Sequence, residues 1–113
     1  MQKLNEPGPQ PVLVCALEAL PPGSRKLLRT DLEVILVLNI DGVIHAISNI
    51  CPHSGGYMQY GPLEGHVLEC PLHYWPFDVR TGELVGMNQD SLLDEGLEIY
   101  PVQIQDDQIY VII

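Results

Sequence analysis

Two short cysteine–histidine pairs constrain this chain more than any other feature of its sequence. Cys51-Pro52-His53 is followed, after sixteen residues, by Cys70-Pro71-Leu72-His73. Each pair offers one soft thiolate and one imidazole, and two such pairs on facing loops can surround a metal centre with two sulfur and two nitrogen ligands. A proline after each cysteine restricts the backbone beside the ligand, which lowers the entropy cost of assembling the site. The pattern therefore predicts a metal site at Cys51, His53, Cys70 and His73.

Three kinds of centre compete for these four side chains. A mononuclear structural zinc also accepts two cysteines and two histidines, but zinc sites usually group like ligands, as Cys-x₂₋₄-Cys with His-x₃₋₅-His. Mixed pairing in both halves favours a dinuclear iron–sulfur centre, because each iron can then take one type of ligand. A catalytic cysteine needs one thiol and one base, which leaves the second pair unexplained. Iron–sulfur is the preferred interpretation, and zinc and nucleophilic catalysis remain alternatives.

Short apolar runs separated by turn residues predict an all-β fold. Residues 34–40 and 43–47 are joined through Asp41-Gly42, a strong hairpin signal, and residues 97–105 and 108–113 are joined through Asp106-Asp107. No stretch keeps a helical apolar period over three turns. A long insertion, about 48–86, separates the two hairpins and holds two cysteines, three of the four histidines and the only tryptophan. We expect a single domain over 1–113, an antiparallel β-sandwich with this insertion as its metal-binding loop subdomain.

Charge and cysteine content narrow the possible partners and the compartment. Fifteen acidic and five basic residues give a net charge of −10, which disfavours nucleic acid and anionic membranes as partners. A protein partner with a basic face would complement this surface, although the charge can also serve solubility alone. Three cysteines make a poor disulfide framework, and Cys15, inside an apolar run, is interpreted as a buried small hydrophobe. Without a secretory signal or a long apolar span, we expect a cytoplasmic monomer.

The two pairs and the residues that follow them resemble a known family. Residues 51–56 (CPHSGG) and 70–78 (CPLHYWPFD) are similar to the two ligand boxes of Rieske proteins, and residues 79–83 (VRTGE) are similar to the hairpin after the second box. The resemblance implies a Rieske-like β-sandwich and one [2Fe–2S] cluster. Cys51 and Cys70 would bind the inner iron, and His53 and His73 would bind the outer iron.

The resemblance also implies a function. It predicts an electron carrier rather than an enzyme, passing single electrons from a flavin-dependent reductase to the terminal oxygenase of an aromatic-ring-hydroxylating dioxygenase. Two alternatives remain open: a small subunit of a larger oxidoreductase, such as an assimilatory nitrite reductase, and a zinc-stabilised interaction module.

The resemblance bears on the reduction potential as well. High-potential relatives tie the boxes together with a disulfide and donate hydroxyl hydrogen bonds to the cluster. The matching disulfide positions here are Gly56 and Leu72, and the matching hydroxyl positions are Trp75 and Phe77. Gly56 and Leu72 cannot form a disulfide, and neither Trp75 nor Phe77 has a hydroxyl to donate. We therefore expect a potential near the low end of the Rieske range, roughly −150 mV.

Residues around the pairs receive structural interpretations. His45 is expected to be a structural or surface histidine, and His66 is expected to be exposed to solvent. Arg80 is expected to form an ion pair within the domain. Phe77 and Val79 are expected to lie in the core.

Overall fold

The computed structural model describes residues 8–52, 54–86 and 96–113. Ten antiparallel strands run in chain order as β1 (Pro11–Ala16), β2 (Arg25–Arg29), β3 (Val34–Ile40), β4 (Val43–Ser48), β5 (Leu63–Glu64), β6 (Val67–Glu69), β7 (Pro76–Asp78), β8 (Ile99–Tyr100), β9 (Val102–Gln105) and β10 (Gln108–Ile112). They form three sheets, ordered β1-β10-β9, β2-β3-β4-β8 and β5-β6-β7. Two short 3₁₀ turns, Leu17–Ala19 and Met58–Tyr60, complete the regular structure of this part of the chain. The predicted all-β, antiparallel fold is confirmed.

Strand β3 is the centre of the molecule and separates two cores. Its residues from Ile35 to Ile40 are all buried. Alternate side chains point to opposite faces of a strand, so Leu36 and Leu38 join one core while Ile35 and Val37 join another. The first core contains Cys51 and Cys70, and the second packs against β10 and β1. Burial on both faces explains why this strand is apolar without alternation.

The two predicted turns are present and use left-handed residues, but the run 97–105 is not one strand: β8 pairs with β4, and only β9, after Pro101, pairs with β10. Asp41 and Gly42 connect β3 to β4 with φ values of +54° and +95°. Asp106 and Asp107 connect β9 to β10 with φ values of +53° and +61°. Positive φ at both central positions produces the turn twist that matches paired strands.

Several short elements were not predicted from the sequence. Strand β2 is one of them, and the three-stranded sheet β5-β6-β7 within the insertion is another. The strands of that sheet have two or three residues each, which is too short to show an alternating pattern. Within the described residues, no helix has the length and apolarity needed to cross a membrane.

The insertion packs onto the sheet β2-β3-β4-β8 in two ways. Apolar side chains of both form the first core, and polar contacts join them at its edge. The Arg25 guanidinium donates through Nη1 to the carbonyls of Gln59 (2.8 Å) and Gly61 (2.9 Å). Burial lowers the pKa of Arg25 from its ordinary value. The buried Asn49, just after β4, donates through Nδ2 to Oε1 of Gln59 (2.8 Å) and accepts the N–H of Gln59 on Oδ1 (2.9 Å). These bonds hold the 3₁₀ turn that follows the first cysteine loop.

Candidate metal centre

The first cysteine begins a tight loop that its own backbone closes. The N–H of Cys51 donates to the carbonyl of Gly56 (2.9 Å), and the N–H of Gly55 donates to the carbonyl of Cys51 (2.9 Å). Gly55 has a φ of +78°, a left-handed conformation that glycine adopts at little steric cost. The loop is therefore defined by main-chain geometry close to the cysteine.

The second cysteine begins a loop with the same hydrogen-bond plan, between β6 and β7. The N–H of Cys70 donates to the carbonyl of Trp75 (3.0 Å), and the N–H of Tyr74 donates to the carbonyl of Cys70 (2.7 Å). Tyr74 occupies the position of Gly55 in the first loop and also has a positive φ, +60°. A left-handed conformation costs a residue with a side chain roughly 1–2 kcal/mol. The two loops thus hold their cysteines in the same backbone arrangement. In the second loop this arrangement requires a strained backbone conformation at Tyr74.

The two thiols meet in the first core. Cys51 is 1% exposed and Cys70 is 0% exposed. Burial raises the pKa of Cys70, but hydrogen bonds lower it further than burial raises it, so the net shift is downward. The groups that make these bonds are the Ser54 side chain, the Leu72 backbone, the Cys51 side chain and the His73 backbone. A sulfur surrounded by donors favours the thiolate, which is the form that binds iron.

Ser54 is a site residue that sequence reasoning missed. Its Oγ lies 3.1 Å from Sγ of Cys70, on the opposite loop. The N–H of Gly56 points at the same oxygen, at 3.4 Å. A serine directly after the first histidine was visible in the sequence, but the sulfur it contacts depends on how the two loops meet.

Gly56 and Leu72, the positions matched to the disulfide of high-potential relatives, are in contact. A Cβ added to Gly56 would lie 3.1 Å from Cγ of Leu72 and 2.9 Å from Sγ of Cys70. All three cysteines of the chain are free thiols. The loops are therefore held together by packing, with Leu72 against Gly56, and by the bond from Ser54 to Cys70.

The two predicted histidine ligands are His53 in the first loop and His73 in the second. His73 is exposed, and its backbone takes part in the hydrogen bonds around Cys70. His53 lies outside the described residues. Among the residues described, no three His, Cys, Asp or Glu side chains converge on one point. A two-iron cluster of this type places only two protein ligands on each iron, so convergence of three is not required.

The aromatic residues after the second pair have distinct environments. Phe77 and Val79 are buried in the first core, as predicted, with exposures of 1% and 2%. Trp75 is half-buried and packs against that core. Tyr74 is 61% exposed at the outer end of the loop.

The remaining predictions for polar residues had mixed outcomes. Arg80 forms the expected ion pair, donating from Nη2 to Oδ2 of Asp78 (2.8 Å). The hydrogen bond from this guanidinium lowers the pKa of Asp78 to about 2. The prediction that His66 is solvent-exposed is wrong, because its ring is half-buried and packs edge-to-face on His45 with centroids 5.8 Å apart. Cys15 is half-buried rather than fully buried, packed against the second core.

His45 carries a buried atom with no hydrogen-bond partner, Nε2. His45 pairs with Leu38 of β3, so its ring is on the same face as Leu38, toward the insertion. Burial lowers the pKa of His45, and the nearby His66 and Arg80 lower it further, while Asp78 acts in the opposite direction. The contact between the sheet and the insertion therefore favours neutral His45.

The two cysteine loops are uncharged in an otherwise acidic chain. Residues 49–62 and 70–77 include no Asp, Glu, Lys or Arg, although the net charge is −10. A carboxylate close to an iron–sulfur cluster would oppose the negative charge that reduction adds. The acidic side chains lie elsewhere in the sequence.

These observations test whether the residues present suit an iron–sulfur cluster. Two buried thiols lie side by side, N–H and O–H donors surround one of them, and the loops carry no charge. Soft sulfur ligands, satisfied by hydrogen bonds and shielded from water, are the environment such clusters use. The fold and the site together define a small β protein built around an iron–sulfur centre.

Comparison with known proteins identifies the family. Residues 10–110 match the model of the Rieske [2Fe-2S] domain. The chain is 32% identical over 93 residues to the ferredoxin component of the naphthalene 1,2-dioxygenase/salicylate 5-hydroxylase systems of Ralstonia sp., covering 82% of this chain and 86% of that protein.

Solved structures agree with this match. The ferredoxin of carbazole 1,9a-dioxygenase from Nocardioides aromaticivorans IC177 is 31% identical, with a TM-score of 0.77 over 90% of this chain and 96% of that one. A ferredoxin chain in a complex of reduced oxygenase and oxidized ferredoxin of carbazole 1,9a-dioxygenase is 27% identical, with a TM-score of 0.77 over 88% of this chain and 99% of that one.

This chain belongs to the Rieske [2Fe–2S] family. Its cofactor is a [2Fe–2S] cluster, and it is an electron carrier rather than an enzyme, as the sequence predicted.

Proposed function

We propose that Cys51 and Cys70 bind one iron of the cluster and that His53 and His73 bind the other. One observation carries this proposal: loops of the same backbone plan bring two fully buried thiols into one core. The exposed position of His73 supports a histidine-bound iron on the solvent side, where electrons can enter and leave. When bound, the cluster accepts and releases one electron at a time, and its two neutral imidazoles raise the potential above that of an all-cysteine cluster.

Ligand variants test this assignment. Protein purified without oxygen should contain two irons and two acid-labile sulfides per chain, with a reduced-state EPR signal of average g below 2. Replacing Cys51 or Cys70 with serine, or His53 or His73 with alanine, should abolish or alter the visible spectrum. Any one of these four variants with a wild-type spectrum would contradict its place in the ligand set.

Two matched controls separate ligation from general damage. Cys15→Ser removes the thiol in β1, away from the first core, and His66→Gln removes the histidine between the two pairs. Both should keep the wild-type iron content and spectrum. Loss of the cluster in either control would show that it depends on fold stability rather than on specific ligands.

We further propose that the chain passes single electrons from a flavin-dependent reductase to the terminal oxygenase of an aromatic-ring dioxygenase system. Relatives named as ferredoxin components of such systems support this role, and a carbazole dioxygenase ferredoxin forms a complex with its oxygenase. The uncharged loops around the cysteines offer a neutral contact surface near the cluster. None of the three cysteines forms a disulfide, which suits the reducing conditions of the cytoplasm, where we place the carrier.

Reconstitution tests the carrier role. With reductase and oxygenase purified from the source organism, product formation should require this chain and should saturate as its concentration rises. Equal product formation without it would contradict the proposal. A stable stoichiometric complex with another oxidoreductase in size-exclusion chromatography would favour the subunit alternative.

A further inference from the structure

The hydroxyl of Ser54 connects the two cysteine loops at a sulfur atom. Its Oγ lies 3.1 Å from Sγ of Cys70, within the range for a hydrogen bond to sulfur, and the contact is partly buried. The N–H of Gly56 is directed at the same oxygen from 3.4 Å. Because this N–H faces a lone pair of Oγ, the hydroxyl proton remains available to point at Cys70.

This contact arises from the first loop, where no hydroxyl donor was expected. The positions matched to hydroxyl donors are Trp75 and Phe77, both on the second loop, and neither has an O–H group. Ser54 reaches the sulfur from the other side. Burial of the site strengthens such a bond, since water competes poorly with it there.

We propose that Ser54 donates a hydrogen bond to Sγ of Cys70 in the cluster-bound protein and thereby raises the reduction potential. The inference rests on the proposed ligation by Cys70. A donor at a thiolate ligand withdraws negative charge, and the reduced cluster carries one more negative charge than the oxidised one. The hydrogen bond therefore stabilises the reduced state more, and no covalent bond forms or breaks. Because Trp75 and Phe77 have no hydroxyl, the sequence predicts a potential near the low end of the Rieske range. With the bond from Ser54, the potential should be higher than that prediction.

The experiment compares Ser54→Ala, Ser54→Thr and the wild-type protein by redox titration of the purified cluster-bound form. Removing the hydroxyl should lower the ratio of reduced to oxidised protein about tenfold at a fixed solution potential, equal to a midpoint shift of about 59 mV for one electron. Ser54→Thr keeps the hydroxyl and should stay close to wild type. Ser24→Ala is the matched control, because the Ser24 hydroxyl bonds to the carbonyl of Pro21 on the exposed surface, and its midpoint should not change.

Several outcomes would overturn the inference. An unchanged midpoint in Ser54→Ala, with two irons and two sulfides per chain, would do so and would leave the ligand assignment intact. Equal shifts in the alanine and threonine variants would show that the hydroxyl does not set the effect, because only threonine keeps it.

Cluster assembly is distinguished from tuning by one more variant. Ser54→Gly also lacks the hydroxyl and supplies the measurement if Ser54→Ala takes up no cluster. Failure of both to bind a cluster, with Ser54→Thr loaded, would assign Ser54 to assembly and overturn the tuning role. A wild-type cluster in Cys70→Ser would instead refute the proposed ligation.

Discussion

Replacing Gly56 with alanine should damage the cluster site while leaving the rest of the fold in place. The added Cβ would lie 2.9 Å from Sγ of Cys70 and 3.1 Å from Cγ of Leu72. Carbon contacts are optimal at about 3.5–4.0 Å, so the methyl group would be about 0.6 Å or more too close to the sulfur. Leu72 is 58% exposed and can turn away, but Cys70 is fully buried and cannot. The strain must therefore be relieved by separating the two loops.

Overpacking of this kind costs about 1–3 kcal/mol. At about 1.4 kcal/mol per tenfold, the equilibrium between a closed and an opened site should shift roughly 5- to 150-fold. The assay follows the loss of visible absorbance after addition of an iron chelator at fixed temperature. Gly56→Ala should lose its cluster faster by a factor in this range. Gly8→Ala is the control, since its Cβ would meet no atom within 4 Å.

A double variant identifies which contact matters. Adding Leu72→Ala to Gly56→Ala removes the leucine contact but not the contact with Cys70, so cluster loss should remain fast. Full recovery in the double variant would show that the leucine, and not the sulfur, limits this position. A single Gly56→Ala variant with the wild-type rate of cluster loss would refute the steric reasoning altogether.

Three further predictions concern the surroundings of the site. Because the pKa of His45 is lowered in the folded protein, the unfolded chain binds more protons, and stability should fall as pH drops through about 6.5. His45→Phe should reduce the difference in unfolding free energy between pH 7.5 and 5.5, and an equal difference in both proteins would contradict the assignment. Arg25→Met removes two charge-assisted bonds to the 3₁₀ turn and should lower the unfolding free energy by about 2–3 kcal/mol in denaturant titration, while the exposed neighbour Lys26→Met should change it little. At Tyr74, with its φ of +60°, glycine should be more stable than alanine by about 1 kcal/mol in thermal unfolding, and the reverse order would exclude strain there.

Local chemistry made the fold class and the family recognisable from the sequence. The Asp41-Gly42 turn depends on the φ preferences of two adjacent residues, so it could be located without tertiary information. Strand β3 was recognisable because an apolar run of seven residues suits a strand buried on both faces. The cysteine–histidine pairs indicated an iron–sulfur centre because each pair brings its thiol and imidazole together within three or four residues of sequence. Which four side chains bind the irons stays a prediction.

Short elements and cross-loop contacts could not be derived in this way. The strands of the sheet β5-β6-β7 have two or three residues each and are stabilised by pairing with one another, which leaves no periodic signal. His66 was predicted to be exposed because its neighbours indicate a turn, but it packs on His45, a residue of another sheet. Such contacts join residues about twenty positions apart, and no local pattern encodes them.

The sequence by itself determined the β scaffold and the two cysteine–histidine pairs by which the Rieske family is recognised, because motif chemistry and turn preferences belong to individual residues and their immediate neighbours. Only the tertiary structure decided how the two loops meet. It placed the Ser54 hydroxyl next to the sulfur of Cys70, and it packed the Leu72 side chain on Gly56. These distances depend on how two sheets pack, since the first loop follows β4 of the second sheet and the second loop joins β6 and β7 of the third.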